Sequence, residues 1–177
     1  MILLKNVMKL TLVPVILLLS SQGYSQSLKK VPIGNSGCSL YSYCETKFTV
    51  EKSTDSSLVY TGECVKDEVS YGAICVKLLH PVDDLTMAED LVISYLDYLK
   101  ESFGITKAAG YGKGHRLNNN EQTRGVIDYW EDKDLDHWKV KAWTDGQYIG
   151  FMYAYGKKEL PESKVNVFLD SFRLLEK

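Results

Sequence analysis

Residues 137–143, HWKVKAW, alternate without a break. Trp138, Val140 and Ala142 fall on one face, and His137, Lys139, Lys141 and Trp143 on the other. A period of two predicts a β-strand. TRGVIDYWED (123–132) precedes it and QYIGFMYAYG (147–156) follows, the latter across a tight TDG turn at 144–146. The three runs predict an antiparallel meander over 123–155. Upstream, SLVYTGECV (57–65) and SYGAICVKLL (70–79) are strand-like and joined by the polar KDE, a hairpin that Pro81 ends. SLYSYCETKFTVEKS (39–53) alternates well enough for one or two more strands, with Phe48 and Val50 on one side.

The period changes after Pro81. Ala88, Leu91, Val92, Tyr95, Leu99 and Phe103 recur at helical spacing, which predicts one amphipathic helix. Thr86 and Glu89 read as its capping box, and Gly104 stands where a C-terminal cap belongs. Tyr95 and Tyr98 read as core packing of that stripe. A second helix is expected in LPESKVNVFLDSFRLL, opened by Pro161 near its first position and lined by Val165, Phe168, Leu169 and Phe172. Antiparallel strands with segregated helices define an α+β domain.

The ends set the compartment. MILLKNVMK carries Lys5 and Lys9, a short apolar run follows at 10–19, and then small polar residues. That order is a secretory signal peptide over residues 1–25, cut after Ser25. The run is shorter than the about 20 residues of an ordinary membrane span, so no integral membrane segment is expected after cleavage. Residues 26–37 read as a linker and 38–177 as a single domain. The mature chain carries 19 basic and 23 acidic residues, a net charge of −4, which excludes a nucleic-acid binder of the basic-patch kind. Four cysteines, Cys38, Cys44, Cys64 and Cys75, read as two disulfides in an exported chain, with three pairings open. Cys64–Cys75 across the expected hairpin, with Cys38–Cys44, is the pairing favoured here. Their spacing does not suit a zinc knuckle, and no C-x-x-C motif is present.

The aromatic strand QYIGFMYAYG, followed by a closing helix with FLDSFR (168–173), resembles the Mog1/PsbP-like proteins, a likeness that spans roughly residues 40–175. The resemblance implies an α/β/α sandwich around an antiparallel sheet. It also implies a non-enzymatic binding or assembly role, common among exported bacterial members. The four N-terminal cysteines are not part of that pattern.

Chemistry is sparse. EDKDLDHW (131–138) holds Asp132, Asp134 and Asp136 at alternate positions, which reads either as a weak calcium module at 131–136 or as the solvated tip of a hairpin. Counted from Asp132, His137 and Trp143 stand where an EF-hand needs glycine and glutamate. GYGKGH (110–115) matches no phosphate-loop spacing, but Lys113, His115 and Arg116 make it a candidate anion loop. The histidines are His80, His115 and His137, and no nucleophile motif surrounds them. A small hydrolase would rest on carboxylates or on His115 within 109–125. Lys139, Lys141, Trp143 and Tyr148 form a candidate binding surface, or else lie under a helix with their lysine stems snorkelling out. These expectations describe a secreted or periplasmic domain without a cofactor, whose partner is a protein or glycan of the envelope.

Overall fold

The computed structural model describes residues 27–175. The segment read as a signal peptide therefore lies outside the described residues. Ten strands and two helices follow in the order β1 (Lys29–Pro32), β2 (Ser39–Ser42), β3 (Thr49–Lys52), β4 (Leu58–Lys66), β5 (Val69–Lys77), α1 (Leu85–Ser102), β6 (Ile105–Ala108), β7 (Gly112–His115), β8 (Arg124–Asp132), β9 (His137–Thr144), β10 (Tyr148–Gly156) and α2 (Glu162–Leu169). The class is α+β, as the patterning implies.

An eight-stranded antiparallel sheet runs β3-β4-β5-β10-β9-β8-β6, with β7 also paired to β8. The β4–β5 hairpin closes in two residues, Asp67 and Glu68, both at positive φ, which matches the twist of the flanking strands. The meander β8-β9-β10 forms as expected, and its register sets Trp130 opposite Trp138.

Each face of the sheet has its own core. On one, α1 lays Val92, Leu96 and Leu99 over Val126, Trp138 and Phe151. On the other, α2 and the β1–β2 hairpin bring Val165, Phe168, Ile33 and Leu40 against Tyr71, Trp143 and Met152. Trp138, Val140 and Ala142 thus face α1, while Lys139, Lys141 and Trp143 face α2. Two-sided burial explains why β9 and β10 are almost wholly enclosed.

Three expectations need correction. Residues 26–37 are not a linker: β1 pairs with β2, and Ile33 is fully buried in the core under α2. The helix cap is not Thr86. Asp84 caps α1 by accepting from Thr86 N and Met87 N at 2.7 and 2.9 Å, so the helix starts before the expected box. A carboxylate two residues upstream takes the amides of Thr86 and Met87, which starts the helix at Leu85 and leaves Thr86 inside its first turn. Finally, α2 stops at Leu169. The chain then extends, and Arg173 bridges to Ser39 beside β2, which keeps Phe172 in the core although it is no longer helical.

Candidate functional site

EDKDLDHW is a hairpin connection built around one inward carboxylate. Asp132 Oδ1 accepts from Asp134 N and Asp136 N, and Oδ2 accepts from the indole Nε1 of Trp138 at 2.9 Å. Burial pushes this carboxyl up, but the Trp138 bond and the two amide bonds outweigh it and hold it below the usual carboxylate range. The side chain that the calcium reading needs most is therefore turned inward and committed to N–H donors. Asp134 stays at the exposed tip. Among the described residues no group of three or more acids, histidines or cysteines is placed to hold a metal.

The candidate anion loop is occupied from within. Gly114 N donates to Glu89 Oε1 at 2.8 Å, Lys113 pairs with Asp90 at 3.4 Å, and Arg116 pairs with Glu121 at 3.0 Å. The carboxylate expected to cap α1 thus docks β7 onto that helix instead. His115 lies exposed on β7, opposite Gly125, while His137 sits at the start of β9 and His80 follows β5. None of the hydrogen bonds of the described residues joins a histidine ring to a hydroxyl or thiol. The hydrolase reading finds no base and nucleophile brought together.

Of the two readings of Lys139, Lys141, Trp143 and Tyr148, the structure takes the covered one, and the face is not an open binding surface. Trp143 is 3 % exposed and its Nε1 donates to Leu169 O of α2. Lys139 reaches Glu162 at 3.1 Å and Lys141 reaches Asp170 at 2.6 Å, so both ammoniums emerge at the α2 flank. A largely apolar cleft of about 360 Å³ remains beside them, lined by Tyr129, His137, Leu160 and Val165. Its cation position is filled by Lys139, which lies over the Tyr129 ring at 5.1 Å.

The open surface lies on the opposite layer. Met87 is 65 % exposed, Leu91 38 % and Tyr98 63 %. At about 100° per residue these three fall within roughly 40° of one another on the helix. Tyr95 joins them to the buried stripe, so the apolar arc of α1 is wider than the sheet can cover. Sequence periodicity placed Tyr98 in the core, because period alone does not show where the covering layer ends. The surplus arc points toward β4. There a cavity of about 170 Å³ opens between Leu91 and Tyr95 on one wall and Val59, Val76, Leu78 and Ile149 on the other. Burial pushes the Tyr95 hydroxyl up to about 12, so that wall stays neutral. Thr61, Glu63 and Val65 continue the same face of β4 into solvent.

The rim of this groove is acidic. Asp55 stands at its mouth, hydrogen-bonded by Ser53 and Ser57. Glu63 accepts from Tyr153 and Tyr155 farther along. Asp90 and Asp97 belong to the other flank of α1, where they pair with Lys113 and Lys100.

The Cys44–Cys64 disulfide joins the segment after β2 to β4. The favoured pairing Cys64–Cys75 does not form. Cys64 stands opposite Tyr71 and Cys75 opposite Tyr60, four register positions away. That is roughly 13 Å along a strand, beyond disulfide reach. Cys38–Cys44 is excluded by the same observed bond.

These features define an α+β domain with a helix on each face and an exposed apolar groove along one of them. No protein family matches the chain, and no curated protein matches it. Among the described residues no helix is long and apolar enough to cross a membrane.

Proposed function

We propose that this chain is an exported, non-catalytic binding or accessory protein of the bacterial envelope with a Mog1/PsbP-like sandwich. Its groove between α1 and β4 takes an amphipathic, basic segment of a partner protein. One observation carries the reading: the exposed half of the α1 apolar arc, Met87, Leu91 and Tyr98, runs continuously into the apolar cavity at Tyr95. Contiguous exposed apolar surface of this kind marks interaction sites. The strand-side carboxylates Asp55 and Glu63 set the charge of the occupant. A helix laid in the groove would place apolar side chains on Leu91 and Val59 and its cations on the rim. The disulfide, the signal-like N-terminus and the fold-level resemblance support export and an accessory role.

The test compares the mature protein with its Met87→Glu/Tyr98→Glu variant in affinity capture from envelope extract. A partner retained by the wild type and by the control Val167→Glu, on the outer face of α2, but lost by the groove variant supports the reading. Equal capture by all three, at unchanged melting temperature, rejects the groove.

A further inference from the structure

Cys38 and Cys75 carry free thiols in the core beneath α2, and both are buried. They come from distant parts of the chain. Cys75 lies in the middle of β5, between Tyr60 of β4 and Gly150 of β10. Cys38 ends a tight turn, 33–38, in which Ile33 N donates to Cys38 O and Ser36 Oγ accepts from Cys38 N at 3.0 Å.

Two tyrosines that flank Cys75 hold that turn down. Tyr60 donates to Asn35 Oδ1 at 2.8 Å, and Tyr148 donates to Ser36 O at 3.1 Å. Gly34 lies flat on the Tyr60 ring, where a Cβ would meet Cδ1 at 2.8 Å. The docked turn thus encloses Cys38 in the same core as Cys75, over the strands that carry Tyr60 and Tyr148. The Cys44–Cys64 bond is what an oxidising compartment leaves in a chain, and a second enclosed cysteine pair is open to the same chemistry.

We propose that Cys38 and Cys75 form a second disulfide in the mature protein, which staples the β1–β2 hairpin to the centre of the sheet. The oxidant is a disulfide donor of the envelope. The Cys38 thiolate attacks one donor sulfur, forms a mixed disulfide and expels a donor thiolate. Cys75 then attacks the Cys38 sulfur and expels the second. Two protons and two electrons leave the pair, one S–S bond forms, and the donor disulfide ends as two thiols.

Cys38 sits on the turn that closes over β5, so before docking it is the cysteine free to meet the donor first. Both sulfurs are enclosed once the turn has docked, so exchange belongs to the stage before the hairpin closes over β5. The bond is then structural and out of reach of a redox partner.

The experiment is disulfide mapping of the mature protein, purified without reductant and unfolded in the presence of an alkylating agent. The expected intact mass is about 4 Da below the reduced chain, two hydrogens per bond. Combined tryptic and chymotryptic digestion should link the Cys38 peptide to the Cys75 peptide, with neither alkylated. Alkyl label on both cysteines, or a Cys38–Cys64 link, overturns the proposal. A Cys44→Ala/Cys64→Ala variant isolates the second bond. Reductant should lower its melting temperature by roughly 5–15 °C. No shift in a folded variant rejects the staple, and mapping of the wild type decides if the variant does not fold.

Discussion

Asp132 shows how one carboxylate can organise a turn. Its two oxygens take three N–H donors, from Asp134, Asp136 and the Trp138 indole. Asp132→Asn offers only one acceptor oxygen and turns an amine toward a donor. The variant is expected to lose about 2 kcal/mol at pH 7, measured by urea unfolding. Because the folded carboxyl is held below its ordinary value, its contribution is complete above the unfolded value of about 3.9 and fades as pH falls through the folded one. The gap between wild type and variant should therefore narrow below about pH 4; a constant gap would mean that charge plays no part. Close approach acts at the same scale. The Trp143 ring lies where a Cβ on Gly125 would stand, so Gly125→Ala must displace an indole in the core. The run of acids in EDKDLDHW was legible, but the inward turn of Asp132 was not. It depends on Trp138 bringing an indole N–H back across the hairpin.

At the scale of elements, α1 is defined by what holds its two flanks. Asp84→Ala should lower the melting temperature, since two amides lose their acceptor, whereas Thr86→Ala should lower it by well under half as much. Equal losses would restore the capping box read from sequence. On the inner flank, Lys100 reaches fully buried Asp128 at 3.1 Å and lies over the Tyr111 ring at 4.0 Å. Asp128 also accepts from Trp130 Nε1. Lys100→Met leaves that buried charge without its cation and is expected to cost about 2–4 kcal/mol. Adding Asp128→Asn should return part of the loss in a double-mutant cycle, and strict additivity would argue against the pairing. Helix and strand existence followed from period. The cap did not, because Thr86 and Asp84 offer similar local chemistry and Glu89 is drawn away by Gly114 of β7.

The whole molecule is an asymmetric sandwich. One face of the sheet is shared by α2, the β1–β2 hairpin and the extended C-terminal residues, and it is closed. Among the described residues the other has α1, which covers β8 and β9 and leaves the β4 side open. An acidic groove should bind a basic segment less tightly as ionic strength rises. Capture of the partner at 0.5 M salt should fall several-fold below that at 0.05 M; salt-independent capture would point to apolar contact alone.

The sequence alone determined the β4–β5 hairpin, the order of the meander, the place of both helices and the α+β class, but not β1, β6 or β7. It also carried cysteine oxidation in part, as Cys44–Cys64. Each rests on local period or composition, which a single chain carries in full. Only the tertiary structure decided which faces are covered. Lys139, Lys141 and Trp143 look like a binding strip in one dimension and lie beneath α2 in three. Tyr98 looks like core and stands in solvent. Pairing of the cysteines went the same way, since Cys44 meets Cys64 through a contact that no spacing encodes. Alternation assigns a residue to a face, but burial is a property of what the rest of the chain lays upon that face.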